Sequence, residues 1–303
     1  MCAHSSQGLL LGFPEYSEPA RRLARAAGLE FAEVEVHRFP DGESRIRVPE
    51  KIPEHVFICR SLNQPNEKLV ELILAASTLR KLGATRVALV APYLGYMRQD
   101  KAFHPGEAVS QQIVGKLLAT LFDALITVDP HLHRVHRMED AVPVPIAPAL
   151  SATAAMSDYL GNKLENPLLL GPDEESEQWV SAIAEQNQQE FHVASKIRLG
   201  DSNVRVSLPD VDYRGRHIVL VDDVISTGRT IESAIIELKP HQPRSITVMA
   251  THAIFAGDAL ARLMNAGADD IWSSDSISHP TNRIELAAVL APALTDLWSS
   301  RNS

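Results

Sequence analysis

Short apolar runs rich in Val, Ile and Leu alternate along the chain with segments of helical period, the pattern of a mostly parallel sheet covered by helices. The fold class is therefore α/β. The runs Glu33 to Phe39, His55 to Cys59, Arg86 to Ala91 and Ala124 to Val128 read as strands. Leu168 to Leu170, His217 to Val221, Ser245 to Ala250 and Asp270 to Ser274 read the same way further on. Between Asn66 and Gly83 the residues Leu69, Leu72, Ile73, Ala76 and Leu79 fall on one helical face, with Pro65 before them and Gly83 placed to cap the end. That stripe reads as core. The stretch VPVPIAPALSA, around Pro143 to Pro148, interrupts the pattern and marks a junction, so two domains are expected, 1–147 and 148–303. The halves resemble each other: in each, a strand (VALVAP, then ITVMAT) leads through an Ala- and Leu-rich helix to a second strand (DALITVD, then DDIWSSD).

Composition adds exclusions. A length of 303 residues exceeds one average domain and agrees with two. A net charge of −9 argues against a nucleic-acid surface, which needs a clustered positive field. The apolar run Leu9 to Phe13 is too brief for a signal-peptide core, and no later stretch reaches membrane-spanning length, so a cytoplasmic location is expected. Cys2 and Cys59 are the only cysteines, too few for a disulfide framework or a cysteine metal site.

The strongest chemical signal is VLVDDVISTGRT, Val219 to Thr230. Four apolar residues end in Asp222 and Asp223, and a small hydroxyl-rich loop then enters the helical pattern IESAIIELK. Free backbone N–H groups and the helix dipole would face one spot there, an anion cradle. Gly228 allows close approach, Ser226, Thr227 and Thr230 add hydroxyl donors, and Arg229 either adds a phosphate contact or points outward. The paired aspartates can accept bonds from sugar hydroxyls or face Mg²⁺, so the composite describes a sugar-phosphate site. The plainer alternative is that the aspartates cap the helix and the loop is an ordinary connection.

Two carboxylates after an apolar strand, followed by Ser-Thr-Gly-x-Thr, resemble the phosphoribosyl-diphosphate signature of the class I phosphoribosyltransferase fold. FPDGE at Phe39 to Glu43, YLGYMRQDK at Tyr93 to Lys101 and VDPH at Val128 to His131 narrow the resemblance to the ribose-phosphate pyrophosphokinases. It covers nearly the whole chain. It implies two tandem phosphoribosyltransferase-like domains, ATP on the N-terminal side, ribose 5-phosphate on the C-terminal side, Mg²⁺ dependence and a homo-oligomer.

By that resemblance, Phe39 stacks on adenine, with Asp41 and Glu43 near its polar edge. Arg98, Gln99, Asp100 and Lys101 attend the nucleotide, the two cations meeting its polyphosphate. His131 coordinates the Mg²⁺ carried by ATP, and Asp173 is a second metal-proximal position. Taken alone, FPDGE could be a simple hairpin turn and Arg-Gln-Asp-Lys a solvated run. Imidazole is also an unusual Mg²⁺ ligand, so the string DPHLHRVH leaves a rival open, a transition-metal cluster of His131, His133 and His136 with His252 as a later ligand. Between residues 191 and 209 a polar segment reads as a mobile flap, in which Lys196 and Arg198 alternate by two and project to one side of an extended chain. They match the family's catalytic Lys-x-Arg pair.

The chain departs from the family in places. AFHPGEAVS follows Lys101, as in the archaeal-type subgroup, and Glu174, Glu175 and Ser176 follow Asp173 where small residues are usual. Three readings stand at this stage: an active pyrophosphokinase, a nucleobase phosphoribosyltransferase, and a non-catalytic regulatory subunit of the same fold.

Overall fold

The computed structural model describes residues 8–298 apart from His133, His136 and residues 199–203; it describes Ile197, Arg198, Val204 and Arg205 through their backbone only. Two compact units emerge, one holding the described residues up to Ser151 and from Leu286 onward, the other Ala152–Glu285. The first contains β1 (Leu9–Gly12), α1 (Ser17–Ala27), β2 (Glu30–Glu33), β3 (Glu35–Arg38), β4 (Ser44–Arg47), β5 (His55–Cys59), α2 (Pro65–Lys81), β6 (Arg86–Ala91), α3 (Ser110–Leu121), β7 (Ala124–Val128), α4 (Met138–Ala141) and β8 (Ala149–Leu150). The second contains α5 (Thr153–Gly161), β9 (Leu168–Gly171), α6 (Glu177–Asn187), β10 (Glu190–Val193), β11 (Ser195–Arg198), β12 (Val204–Ser207), β13 (His217–Ile225), α7 (Arg229–Leu238), β14 (Ser245–Ala253), α8 (Ala259–Ala266), β15 (Asp270–Ser274) and β16 (Asn282–Ile284). The last helix, α9 (Ala287–Asp296), packs on α1, so the chain end joins the first unit although the sequence pattern groups it with 148–303.

Each unit is built on a six-stranded parallel sheet, and the strand orders correspond: β2-β1-β5-β6-β7-β8 and β10-β9-β13-β14-β15-β16. Each also carries a two-stranded antiparallel hairpin, β3-β4 or β11-β12. The duplication hinted at by the sequence is therefore carried through the topology. Parallel strands covered on both faces need no polar alternation, and β1, β7 and β9 are buried at every position. Among the described residues, no helix is long and apolar enough to cross a membrane.

Local chemistry explains the element ends. α1 buries Ala20, Leu23, Ala24 and Ala27, spaced three and four apart, and stops at Gly28 in the left-handed conformation. α2 starts at Pro65, whose missing N–H costs nothing at a helix start. Its buried face differs from the apolar stripe seen in the sequence. Leu72, Ala76 and Leu79 are buried and Leu69 packs at the margin, but the face extends to Lys68 and Glu71, two charged residues.

Three strands also differ from expectation. Glu33 to Phe39 divides at Val34 into β2, which joins the main sheet, and β3, which enters the hairpin. β13 runs on through Asp222 and Asp223 to Ile225, because β14 extends beside it to Ala253 and continues the ladder. Residues 191–193 of the expected flap belong to β10, at the edge of the second sheet.

Candidate active site

In an open parallel sheet, ligands bind outside the carboxyl ends of the strands where the winding direction reverses. In the second unit that reversal lies between β9 and β13, since β10 flanks one side of β9 and β13 the other. Asp173 follows β9, and Asp222 and Asp223 lie near the end of β13.

Beyond β13, Ser226, Thr227 and Gly228 form the connection to α7. Gly228 takes φ +71°, a conformation that a side chain would strain, and sits at the helix cap with no side-chain hydrogen bond capping it. Among the described residues no side chain caps the first N–H groups of α7, which suits them to an external acceptor. The loop is held from behind: Ala256 N–H donates to Ser226 O at 2.9 Å and Arg262 donates to Thr227 O. Thr227 and Arg229 are exposed, and Ser226, Gly228 and Thr230 are half-buried.

Asp223 is buried, and its N–H donates to Asp222 Oδ1 at 3.0 Å. Burial, followed by the charges of Asp223 and Asp173, raises the Asp222 carboxyl well above the usual carboxylate range. Three carboxylates that repel one another suit a cation or hydroxyl-bearing ligand. No group of three or more His, Cys, Asp or Glu able to hold a metal is preassembled among the described residues. Mg²⁺ does not require one, because it keeps several waters and binds through one or two carboxylates plus substrate phosphates. The oxygen donors at Asp173 and Asp222 fit that preference.

The β11-β12 hairpin stands over α7, with Val206 buried and its N–H donating to Ser233 Oγ at 3.3 Å. This places Lys196 at the site: its Nζ lies 3.6 Å from Asp173 Oδ2. Asp173, Glu174, Glu175 and Lys196 line a depression of about 300 Å³. Glu174 and Glu175 are exposed, so water solvates the extra charges at its mouth. Arg198 is the last residue of β11, paired in register with Val204; its side chain lies outside the described residues.

The N-terminal motifs form a second group within the first unit. Phe39 to Glu43 make the turn of the β3-β4 hairpin, closed by Phe39 N–H to Glu43 O at 2.8 Å and Gly42 N–H to Phe39 O at 3.0 Å. Gly42 has φ +92°, the conformation that places glycine there. Phe39 is 40% exposed, its ring meeting His37 edge-on at 4.8 Å, which leaves aromatic surface for a base. The Asp41 carboxylate accepts the Glu43 N–H at 3.2 Å and stiffens the turn. Exchanging Phe39 for Ala should weaken ATP binding by roughly 1–3 kcal/mol, as for a base stacked on an aromatic ring. Unchanged affinity by calorimetry would remove Phe39 from the site.

Arg98 and Lys101 are exposed after β6, and Lys101 Nζ lies 5.1 Å from the centre of the Phe103 ring. Gln99 Oε1 accepts from Ser110 Oγ at 3.3 Å. Asp100 turns inward instead: its side chain is 2% exposed and its Oδ1 meets Arg134 Nη1 at 2.7 Å. That pair ties the loop to the segment after β7, three residues beyond the half-buried His131. Asp100 is thus held by Arg134 through one carboxylate oxygen, while its buried Oδ2 has no hydrogen-bond partner among the described residues. His133 and His136 of the rival metal cluster lie outside the described residues. His252 is buried within β14, with Nδ1 2.9 Å from Ser276 Oγ.

Sequence reasoning missed the buried charges on α2 and the strand β1. The latter had a signal, because LLLG occurs twice, at Leu9–Gly12 and Leu168–Gly171, each time leading to an acidic turn and a helix.

Residues 10–121 match the N-terminal domain of ribose phosphate pyrophosphokinase, and residues 148–276 match the phosphoribosyl transferase domain. The ribose-phosphate pyrophosphokinase of Methanopyrus kandleri is 34% identical over 97% of this chain and 98% of its own length. That of Methanobrevibacter smithii is 34% identical over 95% of this chain and 100% of its own. The crystal structure of phosphoribosylpyrophosphate synthetase from Mycobacterium smegmatis superposes with a TM-score of 0.80 at 22% identity, covering 96% of this chain and 99% of that one, and so shares the fold. With two archaeal relatives matched end to end and both domains recognised, the chain belongs to the ribose-phosphate pyrophosphokinase family.

Proposed function

We propose that the chain transfers the β,γ-pyrophosphoryl group of MgATP to the C1 hydroxyl of ribose 5-phosphate, giving phosphoribosyl pyrophosphate and AMP. The observation that carries the reading is the second unit's switch point, where Asp222, Asp223 and the Ser226–Thr230 phosphate loop meet Asp173 and Lys196.

The sugar-phosphate group is received by the N–H groups and hydroxyls of Ser226, Thr227, Gly228 and Thr230, with Arg229 beside them. Asp222 and Asp223 accept bonds from the ribose hydroxyls and fix the direction of the C1 hydroxyl. Phe39, Asp41 and Glu43 receive the base; Arg98, Gln99 and Lys101 attend the polyphosphate. Asp173 in the second unit would hold Mg²⁺, and His131 in the first would meet the Mg²⁺ that ATP carries; when bound, the metal draws charge from the phosphate oxygens and makes the β-phosphorus a better electrophile. Lys196 and Arg198 neutralise the charge that builds on the leaving and equatorial oxygens as the C1 hydroxyl attacks in line and AMP departs. Alignment and neutralisation supply the catalysis, and no covalent nucleophile is needed.

The enzyme is read as a cytoplasmic homo-oligomer. The exposed apolar side chains of Val70 and Leu74 on α2, with Ile113 on the adjoining α3, support self-association.

Phosphorus NMR of a reaction with ATP, ribose 5-phosphate and Mg²⁺ should show a sugar-linked pyrophosphate growing as the ATP signals decline. Excess EDTA should stop it. Release of inorganic phosphate alone would refute the transfer.

A further inference from the structure

The crevice that receives ligand in the second unit has a counterpart in the first, between β1 and β5, and there the protein fills it with its own side chains. Strand register sets the equivalence. Leu220 pairs with Leu170 and Ile58 with Leu11, so two residues further on Arg60 stands where Asp222 stands. Arg60 is 1% exposed and bonds to Glu71, which is fully buried; its Nε donates to Glu15 Oε1 at 2.7 Å. Lys68, one helical turn before Glu71, donates to Ser61 O at 2.7 Å. A buried ionic network of this kind gains little stability over apolar packing, so a second role is to be sought in what else it holds.

Glu71 has a second carboxylate oxygen, and it points to the hairpin. Its Oε1 accepts from Ser44 Oγ at 2.9 Å and lies 3.8 Å from Arg38 Nη2, while Arg38 Nη1 meets Glu67 Oε2 at 2.7 Å. Arg38 ends β3 and Ser44 begins β4, so the two residues flank the turn at residues 39–43. A lone two-stranded hairpin is marginal in water and would have to be ordered each time a ligand arrives. The first turns of α2 also serve the other nucleotide segment, since Tyr96 OH donates to Asn66 Oδ1.

We propose that Glu71, clamped from the core by Arg60, is a positioning residue that presents the 39–43 turn to the nucleotide base. The crevice that the first repeat fills with its own side chains has become the anchor of a binding element in that same repeat. This rests on the nucleotide reading of the turn given above.

The test compares Glu71→Gln with Ser44→Ala, measuring steady-state kinetics, melting temperature and amide hydrogen exchange. In Glu71→Gln the KM for ATP should rise about tenfold, with kcat and the KM for ribose 5-phosphate changed less than about twofold, the split expected when uniform nucleotide binding is lost. Exchange at the Phe39 and Gly42 amides, whose bonds close the turn, should quicken. Ser44→Ala leaves the buried Arg60–Glu71 pair intact and should show the same split at about threefold, a typical single hydrogen bond. If Glu71→Gln does not fold, Ser44→Ala decides. Wild-type exchange and ATP kinetics in a folded variant would overturn the proposal. Faster exchange with unchanged KM for ATP would overturn it differently, by showing that the anchored turn does not receive the nucleotide, which Phe39→Ala calorimetry reports separately.

Discussion

Lys196→Ala should lower turnover by at least about a hundredfold, the low end for removing a preorganised charge donor, with less than about a threefold change in the dissociation constant for MgATP. Lys196 stands on the hairpin that packs on α7, and its Nζ lies 3.6 Å from Asp173 Oδ2. With the lysine side chain 32% exposed, the pair is screened and stabilises the fold by no more than about 1 kcal/mol. Its loss should therefore leave melting nearly unchanged. The transition state is different, because charge accumulates on the transferring group and Lys196 must leave Asp173 to meet it. Arg198→Ala should act similarly. The double variant should lose less than the product of the single losses, as for groups acting as a unit. Wild-type turnover in Lys196→Ala would end its catalytic role, and a pure binding defect would reassign it to substrate capture.

Asp222→Asn should trade function for stability. Burial and the neighbouring Asp223 and Asp173 raise the Asp222 carboxyl well above the ordinary carboxylate range. A group whose folded value is raised contributes stability that is complete at acid pH and is lost as pH climbs through that value. As pH rises beyond the ordinary carboxylate range that contribution is lost, and asparagine, uncharged throughout, carries no such loss. Asp222→Asn should melt above wild type at neutral pH, by about 2–4 °C for each kcal/mol relieved, and the gap should close towards acid pH. The same substitution should raise the KM for ribose 5-phosphate on the order of tenfold or more, the weight of a charge-assisted hydrogen bond, and change that for ATP less. Asp223→Asn should show the same substrate split. A variant that melts below wild type at every pH, or loses ATP and sugar phosphate equally, would contradict this placement.

The contrast between the two repeats shows what the sequence alone can disclose. The β13–loop–α7 unit was legible because its chemistry is contiguous: Asp222, Asp223, Ser226, Thr227, Gly228 and Thr230 lie within nine residues, and local rules place them at a strand end and helix start. The parallel sheets were legible because strands such as β5, β6 and β7 are apolar runs bounded by turns. What escaped depends on partners distant along the chain. Glu71 and Lys68 look like solvated charges on a helix, and only Arg60, Glu15 and Ser44, brought in by three other segments, explain their burial. Asp100 belongs to an apparently exposed run but finds Arg134 from beyond β7. β1 went unread although the same LLLG string was read as a strand at β9, because Leu9 to Phe13 was weighed only against a signal-peptide core.

The central claim is that the second unit's switch point receives ribose 5-phosphate as acceptor for a pyrophosphoryl group. The most direct measurement is AMP release from MgATP by the purified protein with and without ribose 5-phosphate. The account predicts AMP formation that requires the sugar phosphate and falls at least about a hundredfold in Lys196→Ala. ATP left intact in the presence of ribose 5-phosphate and Mg²⁺, or AMP formed equally without the sugar, would contradict it.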